Sequence, residues 1–126
     1  MRRILFLFFC VGLTSLTVVS CYYDEVLGSG DELPQNVSFN RDVMAIFNKS
    51  CNMSGCHDAT AAHPPSLVQE NAYTSLIQGG FVNTTVPTES SIYAVLAEGN
   101  MPPSGSLSSR ELKIILAWLN EGALNN

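Results

Sequence analysis

The chain has 126 residues, of which 46% are hydrophobic and 13% are charged, so it can form one small domain and little more. Eleven acidic residues outweigh six lysines and arginines, and the formal net charge is −5. Nucleic-acid binding depends on clustered lysine and arginine side chains, so this composition argues against nucleic acid as a partner.

Residues 1–20 have the layout of a secretory signal. Two arginines precede an apolar run that is too short, and too often interrupted by glycine and small polar residues, to span a bilayer comfortably. The run ends in the letters VVSC, which resemble the lipobox of bacterial lipoproteins. This resemblance implies that Cys21 is lipidated and begins the mature protein. An ordinary signal peptide and a transmembrane anchor are the alternatives.

The signal predicts an extracytoplasmic protein, in a compartment where thiols are oxidised or otherwise occupied. We expect a lipid anchor at Cys21 in a bacterial membrane, with the domain facing the periplasm or the cell surface. Tyr22 favours the outer membrane, because an inner-membrane retention signal would have aspartate there. Once residues 1–20 are removed, four basic residues stand against eleven acidic ones, which favours a partner with a basic docking patch.

Residues 21–36 follow the signal and contain acidic residues, glycines and a proline without a helical or strand period. They predict a flexible acidic tether between the lipidated cysteine and the domain. The folded domain is expected to occupy residues 37–126.

The domain begins with three short predicted helices. Asn40 is the expected N-cap of the first, with Phe39 before the cap packing on Met44, and this helix leads directly into the first cysteine of the domain. The second lies in the letters QENAYTSLIQGG and ends at Gly79. The third lies in TESSIYAVLAEG and ends at Gly99.

The last predicted helix runs from Ser109 to about Glu121 and has the clearest pattern. Ser108 and Glu111 form an S-x-x-E capping box, apolar residues repeat at helical spacing, and Gly122 ends the helix. No strand-like alternation of useful length occurs. The predicted fold class is therefore all-α, with about four short helices.

The letters SCNMSGCHD contain Cys51 and Cys56, and His57 follows the second cysteine directly. A disulfide between the cysteines would close a very small loop, stabilise the fold little and leave His57 without a role. Zinc ligation by these three residues and His63 uses suitable ligand types, but adjacent Cys56 and His57 would both have to turn onto one ion.

Covalent haem c accounts for the adjacency of cysteine and histidine. In the usual C-x-x-C-H motif both thiols form thioethers with the porphyrin and the histidine ligates iron. Here the motif is C-x4-C-H, and Gly55 gives the backbone freedom to accommodate the two additional residues. A domain this small also gains from a cofactor as internal support.

Two segments resemble the small monohaem class I cytochromes c, in particular a bacterial lipoprotein subgroup. They read IFNKSCNMSGCHD and GNMPPSGSLSSRELKIILAWLNEGA, and the resemblance covers residues 39–123. It implies a small cytochrome c fold around one covalently bound haem c. By position, Cys51 and Cys56 would hold the haem, His57 would be the proximal iron ligand, the Pro65 carbonyl would accept a hydrogen bond from the His57 ring, and Met101 would be the distal ligand.

Met101 suits ligation by its own surroundings as well. It lies in a loop between two predicted helices, where Pro102 and Pro103 restrict the backbone. An apolar gap-filling role is the alternative. Two rival methionines are weaker candidates, because Met44 lies in the first helix and Met53 lies inside the attachment loop.

Phe47 and Trp118 are expected to pack near each other and near the haem edge, although an ordinary core contact explains them equally well. His63 is an alternative ligand that we expect near the surface. Ligation by histidine and methionine fills both axial positions of the iron. The expected function is therefore electron transfer without enzymatic activity: a lipid-anchored, monomeric cytochrome c that passes single electrons between extracytoplasmic redox partner proteins. The alternatives are a haem enzyme or gas sensor with a labile Met101, and a non-redox interaction module.

Overall fold

The computed structural model describes residues 32–126, and this range contains four α-helices and no strand. The predicted all-α class is confirmed. The predicted signal, the lipidated Cys21 and most of the predicted tether lie outside the described residues. Within 32–126, no helix is both long and apolar enough to cross a membrane.

The first helix begins with a π-helical turn, Phe39–Val43, and continues as α1, Met44–Ser50. The N-cap prediction at Asn40 is wrong. Ser38 is the N-cap instead, and its hydroxyl accepts a hydrogen bond from the Arg41 N–H at 3.2 Å.

The earlier start of this helix has a tertiary cause. Asn126 accepts hydrogen bonds from the backbone N–H groups of Phe39, at 2.8 Å, and Asn40, at 3.0 Å. N–H groups in the first turn of a helix have no partner within the helix, so these contacts satisfy two of them. Phe39 is the first residue of this turn, and its ring is buried.

Three further helices follow: α2, Ala72–Gln78; α3, Ser91–Ala97; and α4, Ser109–Asn120. Gly79 is the C-cap of α2, and Gly99 follows the end of α3 with φ of +73°, so both predicted helix ends are confirmed. A single 3₁₀ turn, Pro87–Glu89, precedes α3.

The capping box of α4 is confirmed. The Ser108 hydroxyl accepts from the Glu111 N–H at 3.3 Å, and the Glu111 carboxylate accepts from the Ser108 N–H at 2.8 Å. Glu111 also pairs with Lys49 near the end of α1, at 2.8 Å. Hydrogen bonds from Lys49 first, and from Ser108 second, lower the pKa of Glu111 to about 2. One carboxylate therefore both caps α4 and joins it to α1.

The aromatic part of the core lies between α4 and the first helix, and α2 and α3 add further buried residues. Phe39 contacts two other buried rings, Trp118 at a centroid distance of 5.2 Å and Phe47 at 6.5 Å. The Trp118 indole N–H donates to the Leu124 carbonyl at 2.9 Å, so this buried polar atom has a partner. Just before the first helix, Leu33 is half-buried and packs against the same core.

Candidate functional site

A cavity of about 440 Å³ with mostly apolar walls occupies the domain on the side where α1 ends. Its size falls in the range of small-molecule and cofactor sites. Its lining residues come from the end of α1, the loops that follow it, α3 and the loop after α3: Phe47, Ser50, Cys51, Gly55, Cys56, His57, His63, Pro64, Pro65, Leu67, Phe81, Ser91, Ile92, Val95, Leu96, Met101, Pro102 and Pro103.

The two cysteines meet the cavity in different environments. Cys51 is the C-cap of α1, where its N–H donates to the Phe47 carbonyl at 2.9 Å, and the residue is 6% exposed. Cys56 is exposed, and both residues are free thiols. Burial is the main cause that raises the pKa of Cys51 to about 11, and the negative charge of Glu111 adds to it. Cys51 is therefore a neutral thiol near pH 7.

The loop after Cys51 turns back on itself. The His57 N–H donates to the Cys51 carbonyl at 3.3 Å, which returns His57 to the end of α1. The Asp58 carboxylate accepts hydrogen bonds from the N–H of Gly55, at 2.8 Å, and from the N–H and hydroxyl of Thr60. These bonds, the Thr60 hydroxyl first, lower the pKa of Asp58. Asp58 thus ties together the backbone on both sides of the Cys56–His57 pair.

The His57 ring is oriented by the main chain. Its Nδ1 atom lies 2.8 Å from the His63 carbonyl oxygen and 2.9 Å from the Pro65 carbonyl oxygen. Carbonyl oxygens only accept hydrogen bonds, so Nδ1 carries the proton and donates to both. In the neutral imidazole the free lone pair is then on Nε2, the form in which histidine ligates a metal through that atom.

Met101 reaches the cavity from the loop after α3. Its N–H donates to the Val95 carbonyl at 3.2 Å, and its side chain is partly exposed, at 37%. Pro102, the next residue, is buried. Among the methionines of the described range, Met44 is buried in the core and Met53 is 60% exposed, and neither lines the cavity.

The remaining candidates divide between cavity and core. Phe47 is fully buried and lines the cavity. Trp118 is not a lining residue; it packs on Phe39 within the core. His63 is exposed, lines the cavity and contributes its backbone carbonyl to the His57 ring.

Sequence reasoning missed two contributors to this site. One is the His63 carbonyl, for which no sequence signal exists because any residue supplies a carbonyl. The other is Asp58, and here a signal was available. An aspartate two residues before a threonine is typical of a turn in which the carboxylate accepts local backbone hydrogen bonds.

Across residues 32–126, no group of three or more histidine, cysteine, aspartate and glutamate side chains could hold a bare metal ion. Comparisons of the chain with protein-family models, curated proteins and solved structures found no match.

Proposed function

We propose that this protein is an electron-transfer cytochrome c, which holds one covalent haem c in the 440 Å³ cavity and passes single electrons between extracytoplasmic redox partners. One observation carries the proposal: two free thiols, an imidazole with its lone pair on Nε2, and a thioether all line one apolar cavity. This donor set fits an iron porphyrin, which has apolar faces, vinyl groups at its edge and a metal at its centre.

Each lining donor has a role in this proposal. Cys51 and Cys56 would hold the haem through thioethers, His57 would ligate its iron through Nε2, and Met101 would ligate it through sulfur. The bound haem would supply a one-electron couple between ferrous and ferric iron. The four helices would then form a small cytochrome c fold.

The chain's own residues tune such a site in two ways. The carbonyls of His63 and Pro65 fix the His57 tautomer and ring plane, with Nε2 left free to ligate iron. Apolar side chains in the cavity wall exclude water, and this disfavours additional positive charge in the cavity. These side chains belong to Leu67, Phe81, Ile92, Val95 and Leu96. Together with a thioether ligand, this wall favours the reduced state and a raised reduction potential.

The proposed surroundings of the domain follow from the sequence. A lipid anchor at Cys21 would hold it at a bacterial membrane, with the outer membrane favoured. The excess of acidic residues favours redox partners with a basic docking patch, which affects the rate of encounter more than the strength of binding.

A second candidate function is a haem enzyme or gas sensor in which the distal position opens. The 37% exposure of Met101 favours it, because a partly exposed side chain leaves its position with little loss of packing. Rapid binding of carbon monoxide or cyanide to the matured protein would support this candidate over an electron carrier.

The test is an absorption spectrum of the full chain, produced with a cytochrome c maturation system, in the oxidised and reduced states. We expect the sharp ferrous bands of thioether-linked haem and the weak far-red band of methionine-ligated ferric iron. Met101→Ala should lose the far-red band and keep covalent haem. Met53→Ala, the matched control, alters an exposed methionine outside the cavity and should keep both. Wild-type protein without covalent haem would refute the proposal.

A further inference from the structure

One of the two acceptors of the His57 ring proton, the Pro65 carbonyl, belongs to a peptide group that is hydrogen-bonded to α2. Pro65 and Ser66 share one peptide group, whose carbonyl oxygen lies 2.9 Å from His57 Nδ1. The N–H of the same peptide group donates to the Ser75 hydroxyl oxygen at 2.9 Å. Because a peptide group is planar, the hydrogen bond at its N–H also sets the direction of its carbonyl. The orientation of the imidazole acceptor thus depends on a hydroxyl of α2.

The Ser66 side chain adds a second link to the same region. Its hydroxyl donates to the Asp58 carbonyl at 2.9 Å, and the N–H of Leu67 donates to the His57 carbonyl at 2.8 Å. The segment 65–67 is therefore hydrogen-bonded along residues 57 and 58, and Ser75 joins this pair of segments to a helix.

Ser66 and Ser90 are the two buried polar residues in the part of the chain that the structure describes. Ser90 has a local explanation, because its hydroxyl accepts from the Asn83 N–H at 2.9 Å and donates to the Asn83 carbonyl at 3.2 Å. It does not line the cavity. Ser66, by contrast, makes contacts with the segment that carries His57 and with α2. Ser90 is therefore a control for the serine variant tested below, because its hydroxyl makes no hydrogen bond to the segment that carries His57.

We propose that Ser75 is a positioning residue for His57: its hydroxyl holds the Pro65–Ser66 peptide group, and so sets the direction of the Pro65 carbonyl and the strength of its hydrogen bond with the imidazole. Hydrogen bonds in a chain polarise one another, so donation from the Ser66 N–H makes the Pro65 carbonyl a stronger acceptor. The consequence for the iron rests on the proposed function. The consequence for the ring proton does not, because it concerns only residues of this chain.

The experiment compares Ser75→Ala, Ser75→Thr and Ser90→Ala in the full chain, produced with a maturation system and reduced to its diamagnetic state. Solvent exchange of the His57 Nδ1 proton is followed by NMR, and the reduction potential is measured alongside. In Ser75→Ala we expect this proton to exchange about tenfold faster, and the reduction equilibrium to shift about threefold toward the ferrous state, as for a weakened hydrogen bond. Ser75→Thr keeps a hydroxyl and should restore both values, and Ser90→Ala should change neither.

Equal exchange rates in Ser75→Ala and Ser90→Ala would overturn the proposal. Should Ser75→Ala fail to fold, Ser75→Cys takes its place, because a thiol has similar volume and accepts hydrogen bonds weakly. An exchange rate in Ser75→Cys equal to that of wild type would likewise overturn it. Wild-type protein that matures without haem refutes the proposed function alone, since the exchange comparison in that protein still decides the role of Ser75.

Discussion

The two walls that carry the proposed iron ligands are built differently. On the histidine wall, residues 51–67, the His57 ring donates to two carbonyls, and backbone bonds join His57 to Cys51 and Leu67. On the methionine wall, residues 95–103, Met101 is 37% exposed, and its backbone N–H donates to the Val95 carbonyl at 3.2 Å.

This difference separates two ways of positioning a ligand. An imidazole has a second polar atom, and a hydrogen bond to that atom fixes the ring before any metal binds. A thioether sulfur accepts hydrogen bonds only weakly, so its position depends on the backbone of its loop and on van der Waals contacts. The histidine wall should therefore keep its geometry when the methionine wall is altered.

The largest expected effect on stability comes from two substitutions that also test whether the two walls are independent of each other. Leu67→Ala and Leu96→Ala each truncate a buried residue that lines the cavity, one from each wall, and each should lower the free energy of unfolding by about 2–5 kcal/mol. Chemical denaturation measures this loss, and Leu124→Ala, at a 55% exposed position, should change stability little. Only Leu67→Ala should also speed exchange of the His57 ring proton. Faster exchange in Leu96→Ala would show that the walls are coupled.

An intermediate effect is expected at Gly79, which lies outside both walls at the end of α2. A Cβ atom there would overlap the Phe81 ring and approach the Ser75 carbonyl. Phe81 lines the cavity, and its carbonyl accepts from the Ile92 N–H of α3 at 3.2 Å, so its displacement would reach the cavity and α3. Gly79→Ala should destabilise the protein by about 1–3 kcal/mol in thermal or chemical unfolding.

The control for this change is Gln78→Ala, which alters an exposed neighbour in α2 and should stay within about 0.5 kcal/mol of wild type. Wild-type stability in Gly79→Ala would mean that the Phe81 ring moves aside freely, and that its packing against the end of α2 contributes little.

The smallest expected effect concerns Glu111, which joins α4 to the cysteine end of α1. Its pKa is about 2 in the folded protein against an ordinary value of 4.5, so its contribution to stability is complete above about pH 4.5 and is lost as pH falls toward 2. The contribution should be about 1 kcal/mol, because Lys49, its ion-pair partner, is largely exposed. Glu111→Gln should flatten the dependence of unfolding free energy on pH in that range. An unchanged slope would contradict the assigned role of this ion pair.

Local patterns in the sequence were sufficient for most of the helices. The capping box at Ser108 and Glu111 and the helix ends at Gly79 and Gly99 involve groups a few residues apart, and all three were predicted correctly. Such interactions have short-range signals because the backbone geometry of a helix end demands particular residue types. The N-cap at Ser38 was missed because the N–H groups of Phe39 and Asn40 find their acceptors on Asn126, which is remote in sequence.

In the candidate site, too, some features depend on neighbours in the chain and others on contacts between remote segments. The adjacency of Cys56 and His57 and the position of Met101 after α3 are visible in the sequence, and from them the residues facing a cofactor could be proposed. The sequence alone thus determined the helices, most of their ends and the chemical types of the donors, because these depend on neighbours along the chain. The tertiary structure decided that these donors line one cavity, that Trp118 packs in the core and not in the cavity wall, and that the Ser75 hydroxyl holds one of the two acceptors of the His57 ring. Those relations depend on packing between segments far apart in the chain, where a backbone carbonyl or a serine hydroxyl serves equally well in many positions and so leaves no local pattern.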